Sequence, residues 1–185
     1  MPIVLNGSGT VTGISVGGLP DGCVDADTLA SGVGGKVLQV VQTTKTNVFT
    51  TTTTSYSDIT GMSANITMTS ASNKVLVMVQ QQIVAGDAGT GIKIVRGSSD
   101  IFLADASGSR ARHTMTGTWD GENTYSGGTA CFICYLDTPG AGTHTYKVQC
   151  MTRGGTIYIN RTNRDSDDTN ASRSTSSITL QEVAA

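Results

Sequence analysis

The stretch KVLVMVQQQIVA, from Lys74 to Ala85, is the most apolar segment of the chain and constrains its fold more than any other. In an extended chain successive side chains point to opposite faces. Val75, Val77, Val79 and Ile83 therefore share one face, and Leu76, Met78 and Val84 share the other. A strand with apolar side chains on both faces needs cover on both. The segment is predicted to be a central strand, with its own core on one side and a second apolar surface on the other.

Similar segments recur between turn signals, at the spacing typical of a sandwich or barrel. KVLQVVQT (Lys36 to Thr43) is the first with a clear period of two. A polar run, TNVFTTTTTSYSDITG, separates it from ANITMT (Ala64 to Thr69). Further strands are expected at GIKIVR, DIFLADA, GTACFICYL, THTYKVQCM, GTIYINR and SSITLQEV. In THTYKVQCM the alternation puts Tyr146, Val148 and Cys150 inward, with Thr145, Lys147 and Gln149 outward. Pro139 and Gly140 just before it suit a tight reversal. No helical window competes. Glycine, at 23 residues, costs about 1 kcal/mol per helical position, and the many β-branched threonines favour a pleated surface. The reading is all-β.

Residues 1–35 lack a pattern of this kind. They carry isolated β-formers (Ile3, Leu5, Val11, Ile14 and Val16) among glycines, a turn at Pro20-Asp21-Gly22, and DADTLA, which suits one helical turn capped by Asp25 or Asp27. No basic region precedes an apolar run, so the segment does not read as a secretory signal. Its composition cannot offset a backbone ordering cost of about 1–2 kcal/mol per residue. It is read as an extended arm that gains order by docking on a partner, through strand addition by those five residues. The expected organisation is an arm, 1–35, and one β domain, 36–185.

Charge and composition exclude several classes. With a net charge of −2 there is no basic face for nucleic acid. No apolar run approaches the roughly 20 residues of a membrane-spanning helix. Cys131 and Cys134 have a C-x-x-C spacing, but inside a strand those two positions face opposite sides and cannot chelate together. With Cys23 and Cys150 they are expected to be reduced and mostly buried. His113 and His144 are the two histidines, and no G-x-S-x-G elbow is present, so neither an enzyme nor a cofactor is expected. Asp165, Asp167 and Asp168 lie in a polar run that reads as a solvated loop, with an oxygen-ligated structural cation as the alternative. Arg110, Arg112 and His113, in GSRARH, read as a solvated strand edge or as a patch for an acidic partner or glycan. Trp119, in a glycine-rich loop, either caps the sandwich or stacks on a sugar ring. Asn6, Asn65, Asn160 and Asn170 each open an Asn-x-Ser/Thr triplet.

KVLQVVQT at the domain start, then ITMTSASNKVLVMV, CYLDTPGAGTHTYKVQC, GGTIYINR and the closing SSITLQEVA together resemble the jelly-roll heads of bacteriophage virion proteins. Tail fibres and capsid decoration proteins are among these. The order of segments is also similar to complement-type and tumour-necrosis-factor-like trimeric heads. The resemblance implies a jelly-roll-like antiparallel β-sandwich in which the first and last strands pair and one sheet faces a threefold axis. It further implies a homotrimer located in the virion, with no catalytic residues. The leading role it suggests is a decoration or cement protein whose arm engages the major capsid protein or another virion protein. The alternative is a short tail-fibre or receptor-binding head, with Arg110, Arg112, His113 and Trp119 touching a host surface glycan.

Overall fold

The computed structural model describes residues 4–5, 11–12, 36–85, 89–117 and 128–185. The chain divides into two units, Met1–Lys36 and Val37–Ala185. In the first, β1 (Val4–Leu5) and β2 (Val11–Thr12) pair antiparallel, Val4 opposite Thr12 and Leu5 opposite Val11.

The second unit is an antiparallel β-sandwich. Its strands are β3 (Val37–Lys45), β4 (Phe49–Thr51), β5 (Ser57–Met68), β6 (Lys74–Ala85), β7 (Gly91–Arg96) and β8 (Ser99–Ile101). They continue with β9 (Met115–Thr116), β10 (Thr129–Asp137), β11 (Gly142–Met151), β12 (Ile157–Ile159) and β13 (Ser176–Val183). One sheet runs β3-β13-β6-β10, so the first and last strands of the unit are neighbours. Beyond the first residues of β13, β12 takes the place beside Ile83–Ala85 of β6, and β4 pairs with β12. The second sheet runs β5-β11-β7-β8, with β9 beside the first residues of β7.

The predicted central strand is central. Val75, Val77, Val79 and Ile83 are buried in the core, where they meet Ile66, Ile92, Ile94, Tyr146, Val148, Ile178 and Leu180. On the opposite face of β6, Leu76 and Met78 are half-buried and Val84 is buried. The inward set on β11 is Tyr146, Val148 and Cys150, as the alternation requires.

Three expectations fail, each where the backbone departs from regular pleating. The polar run before Ala64 holds β4 and the first half of β5. Opposite it, two steps on β11 (Lys147 to Gln149) match five on β5 (Ser63 to Asp58), a bulge that includes Gly61 at φ +85°. The bulge rephases the strand so that Ile59 and Met62, three apart, both reach the core. DIFLADA is not a strand throughout: Phe102 adopts φ +53° and turns the chain outward after Ile101. GTIYINR stops at Asn160, also left-handed at φ +62° and fully buried. Its amide Nδ2 donates to the carbonyls of Lys45 (2.8 Å) and Asn47 (3.2 Å), where β3 breaks before β4. Its Oδ1 accepts from Ser176 Oγ at 2.6 Å. One side chain thereby satisfies the buried backbone at the break, and an Asn-x-Thr triplet becomes an interior plug.

Two polar clamps tie one sheet to the other. At the end of β10, Asp137 accepts from Arg96 Nη1 (2.6 Å) and Tyr146 Oη (2.7 Å). Burial first, and the neighbouring carboxylate next, push the Tyr146 phenol far above its usual range, so it stays a donor. On β13, Glu182 is fully buried yet contacts no cation among the residues that hold it. Oε1 accepts from Asn73 Nδ2 (2.7 Å), Thr69 N and Thr69 Oγ1 (both 2.8 Å), and Oε2 accepts from Gln39 Nε2 (2.5 Å). Burial alone would raise this carboxyl. The donors from Asn73, Gln39 and Thr69 more than offset it and hold the pKa at about 2.

Candidate functional site

The register of the first sheet places its outward side chains in three rows. Val40, Gln181, Leu76 and Leu136 form one, Gln42, Thr179, Met78 and Cys134 the next, and Thr44, Ser177, Gln80 and Phe132 the third. None of these twelve positions carries a charge. Val40 is 57% exposed, Phe132 63% and Leu136 46%, with Leu38 beside them at 47%. Side chains of this size normally lose exposure on folding, because each fully buried one contributes about 1.5–3 kcal/mol. A contiguous uncharged sheet face with several large apolar residues uncovered is the signature of an interaction surface.

A second apolar patch lies at the open edge, where β10 ends the first sheet and β8 ends the second. The left-handed turn at Phe102 leaves its ring 46% exposed and stacked on Tyr135, centroids 4.6 Å apart and planes 17° from parallel. An aromatic residue held at positive φ stores backbone strain of about 1–2 kcal/mol. The stack offsets part of it and presents one flat aromatic edge.

Of these residues the sequence reading singled out Leu76 and Met78, as the second apolar face of the central strand, and Cys134 by its spacing; the rest it passed over. The signal was there in GTACFICYL, whose outward positions, Phe132, Cys134 and Leu136, include no polar group that water would favour. Phe102 was beyond such reading, since nothing in DIFLADA announces a positive φ.

The residues that the sequence did single out do not form one site. Arg110 and Arg112 are exposed on the loop between β8 and β9, not on a strand edge. Arg110 Nη1 turns back onto Ser107 Oγ (2.9 Å), and Arg112 Nε donates to the carbonyl of Ala104 (2.6 Å). His113 makes different contacts: its Nδ1 is hydrogen-bonded to Tyr56 Oη, and its ring occupies the space beside Gly91 where a Cβ would meet Nδ1 at 1.9 Å. Trp119, Ile3, Ile14, Val16, Cys23 and the DADTLA segment lie outside the described residues, and Leu5 and Val11 are placed only as partners in β1 and β2.

Cys131 is buried opposite Gln81, and Cys134 is exposed opposite Met78, on the other face of β10. Cys150 is buried, so two of the three described thiols are interior, and Cys134 is the outward member of the C-x-x-C pair, as strand geometry requires. Burial raises the Cys131 thiol, and pushes that of Cys150 up to about 12. In the acidic loop, Asp165 is neutralised by Arg173 (2.8 Å) and Arg161 (3.3 Å), and Asp168 Oδ1 caps the Asn170 backbone at 2.9 Å. Among the described residues no group of three His, Cys, Asp or Glu side chains is placed to hold a metal ion.

The chain matches no protein-family model and no curated protein.

Proposed function

We propose that the chain is a structural bacteriophage virion protein, a homotrimeric decoration or cement protein that stabilises the capsid shell through its N-terminal arm. The uncharged outer face of the β3-β13-β6-β10 sheet carries this reading. A cyclic trimer closes through two different patches, each subunit's face meeting its neighbour's edge. The sheet face and the Phe102–Tyr135 edge supply such a pair. Pairing of β3 with β13 is the strand order that the resemblance to trimeric heads implies. The arm is a separate unit, and its short strands alternate with glycine, which suits main-chain pairing along a partner's edge.

Sedimentation equilibrium on the full chain tests the assembly: three copies at micromolar concentration support it, and a stable monomer refutes it. Deleting residues 1–30 is expected to leave the head trimeric while abolishing attachment to shells and lowering their resistance to heat. Decoration at undiminished occupancy would overturn the anchoring role. A tail-fibre or receptor-binding head is the second reading, favoured by the exposed arginine loop at 110–112. It takes precedence if the truncated protein binds host cells while shells stay equally robust.

A further inference from the structure

The sheets of the sandwich end in strands of two kinds. β5 is broken by the bulge at Gly61 and carries the exposed Asp58; β8 is three residues long with Asp100 at its centre, and β4 is also three residues long. Bulges, charges and short length are the usual means by which a sheet edge is kept from pairing with another chain. β3 has none of them along its middle. It runs for nine residues, Val37–Lys45, and holds no charge and no proline from Val37 to Thr44. Its one register shift lies at the Val37 end. Lys45 closes the strand but is buried, with Nζ on Asn47 Oδ1 at 2.7 Å. β10 is comparably long, but its free edge carries the Phe102–Tyr135 stack and belongs to the trimer contact proposed above.

Among the described residues β3 pairs with β13 alone, so alternate residues turn N–H and C=O away from the sheet. Burial stops short at the same place. Val41, Leu180 and Val77 stand side by side in one inward row; Leu180 and Val77 are fully buried, whereas Val41 is only half-buried. Beside it, Val37 is 50% exposed, and Leu38 and Val40 are open as well. A further strand alongside β3 would satisfy the free backbone and cover Val41 together.

The charge pattern says which strand. A twofold axis perpendicular to a sheet sets an edge strand antiparallel to its own copy. Residues near that axis meet their own images, so any charge there opposes a like charge. A foreign partner imposes no such limit, because its charges can be complementary. An edge free of both signs is what self-pairing demands.

We propose that β3 pairs antiparallel with β3 of a second copy across a twofold axis. The contact goes beyond the trimer: it uses an edge that the trimer leaves free, and it ties one trimer to the next. A single strand pair is a small contact and weak alone. One edge from each subunit, held on a surface beside its neighbours, makes the contacts act together.

Sedimentation of the full-length Phe132→Glu variant provides the test, because a carboxylate on the outer sheet face opposes the trimer and leaves the β3 edge intact. At about 100 µM its chains should pair and stop at two. Adding Thr43→Lys, at a half-buried inward position outside the three outer rows, sets an ammonium under the edge and should weaken pairing by about ten-fold or more. The natural chain supplies a measurement that needs no variant. Amide exchange across residues 37–44 should slow about ten-fold from about 1 µM to about 100 µM, with residues 57–68 unchanged. Growth beyond two chains in Phe132→Glu would mean that β3 meets a different edge, and would overturn the proposal. So would single chains at about 100 µM, concentration-independent exchange, or undiminished pairing with Thr43→Lys. If the natural chain never reaches three copies yet pairs through β3, the assembly reading falls and this one stands.

Discussion

The sandwich has two outer faces, and they follow opposite rules. On the β5-β11-β7-β8 sheet, outward charges are matched across strands. Asp58 accepts from Lys147 Nζ (2.9 Å) and Gln149 Nε2 (2.6 Å), Lys93 pairs with Asp100 (2.6 Å), and Thr67 bonds Thr143 (2.8 Å). On the β3-β13-β6-β10 sheet there is no outward charge in the three rows, and the largest side chains are among the most exposed. Both faces cover the same core, so folding of the unit does not explain the difference. One is finished against water; the other leaves large apolar side chains uncovered, as the proposed trimer requires.

The largest expected effect comes from placing a charge on the unfinished face. Phe132 is 63% exposed, so Phe132→Glu removes little interior packing and should leave the thermal stability of the folded unit nearly unchanged. In a trimer that face is desolvated, and an unpaired carboxylate there should weaken assembly by about 100-fold or more. Sedimentation of Phe132→Glu beside Thr145→Glu, a half-exposed position on the wet sheet, separates the two faces. Equal loss of assembly in both variants would erase the distinction.

Glu182 bears on whether the two faces act as one body, because its donors come from β3, from the end of β5 and from the turn before β6. Glu182→Ala removes the acceptor of four buried or part-buried hydrogen bonds and should cost about 3 kcal/mol in denaturant unfolding. The pH dependence follows from the depressed carboxyl. Its contribution is complete above the ordinary glutamate value near 4.5 and is lost as pH falls through about 2. Acid unfolding of the natural chain should therefore steepen toward pH 2, and Glu182→Gln should flatten it. An unchanged acid limb would show that the clamp does not couple the sheets.

Phe102 offers a test in which monomer stability and assembly part company. Phe102→Gly relieves a positive-φ backbone but loses the stack on Tyr135, so monomer stability should change by no more than about 1 kcal/mol. Assembly should fall by about ten-fold if the aromatic edge meets the uncharged face. Unaffected assembly would assign the second patch to another edge.

Much of the fold was legible because alternation is a local property. KVLVMVQQQIVA and THTYKVQCM each bury the side chains their spacing selects. What escaped depends on residues distant in sequence or on single dihedral angles. The bulge around Gly61 hid Ile59 and Met62 inside a run of threonines, and Asn160 resembled a surface triplet while filling the break between β3 and β4. The uncharged face was announced on β6 alone, by Leu76 and Met78, and its extent escaped for a related reason. Val40 and Leu136 are unremarkable singly, and join Leu76 in a surface only when register sets the three in one row.

The smallest effect is expected on the wet face, and its smallness is what gives the comparison force. The side chains of Gln149 and Lys147 hold the Asp58 carboxyl below its usual pKa, but the side chain is 48% exposed and its ion pair is screened by solvent. Asp58→Asn keeps the shape and removes the charge, so stability near pH 7 should fall by no more than about 0.5 kcal/mol. The sign follows from the lowered carboxyl: any contribution is present above the ordinary aspartate value and fades as the group protonates in acid. At high salt the difference between variant and natural chain should vanish, and the sedimenting mass should be the same at every salt concentration. A change of assembly state in Asp58→Asn would mean that the charged sheet, too, meets a partner, and a threefold arrangement built on the uncharged sheet alone would have to be abandoned.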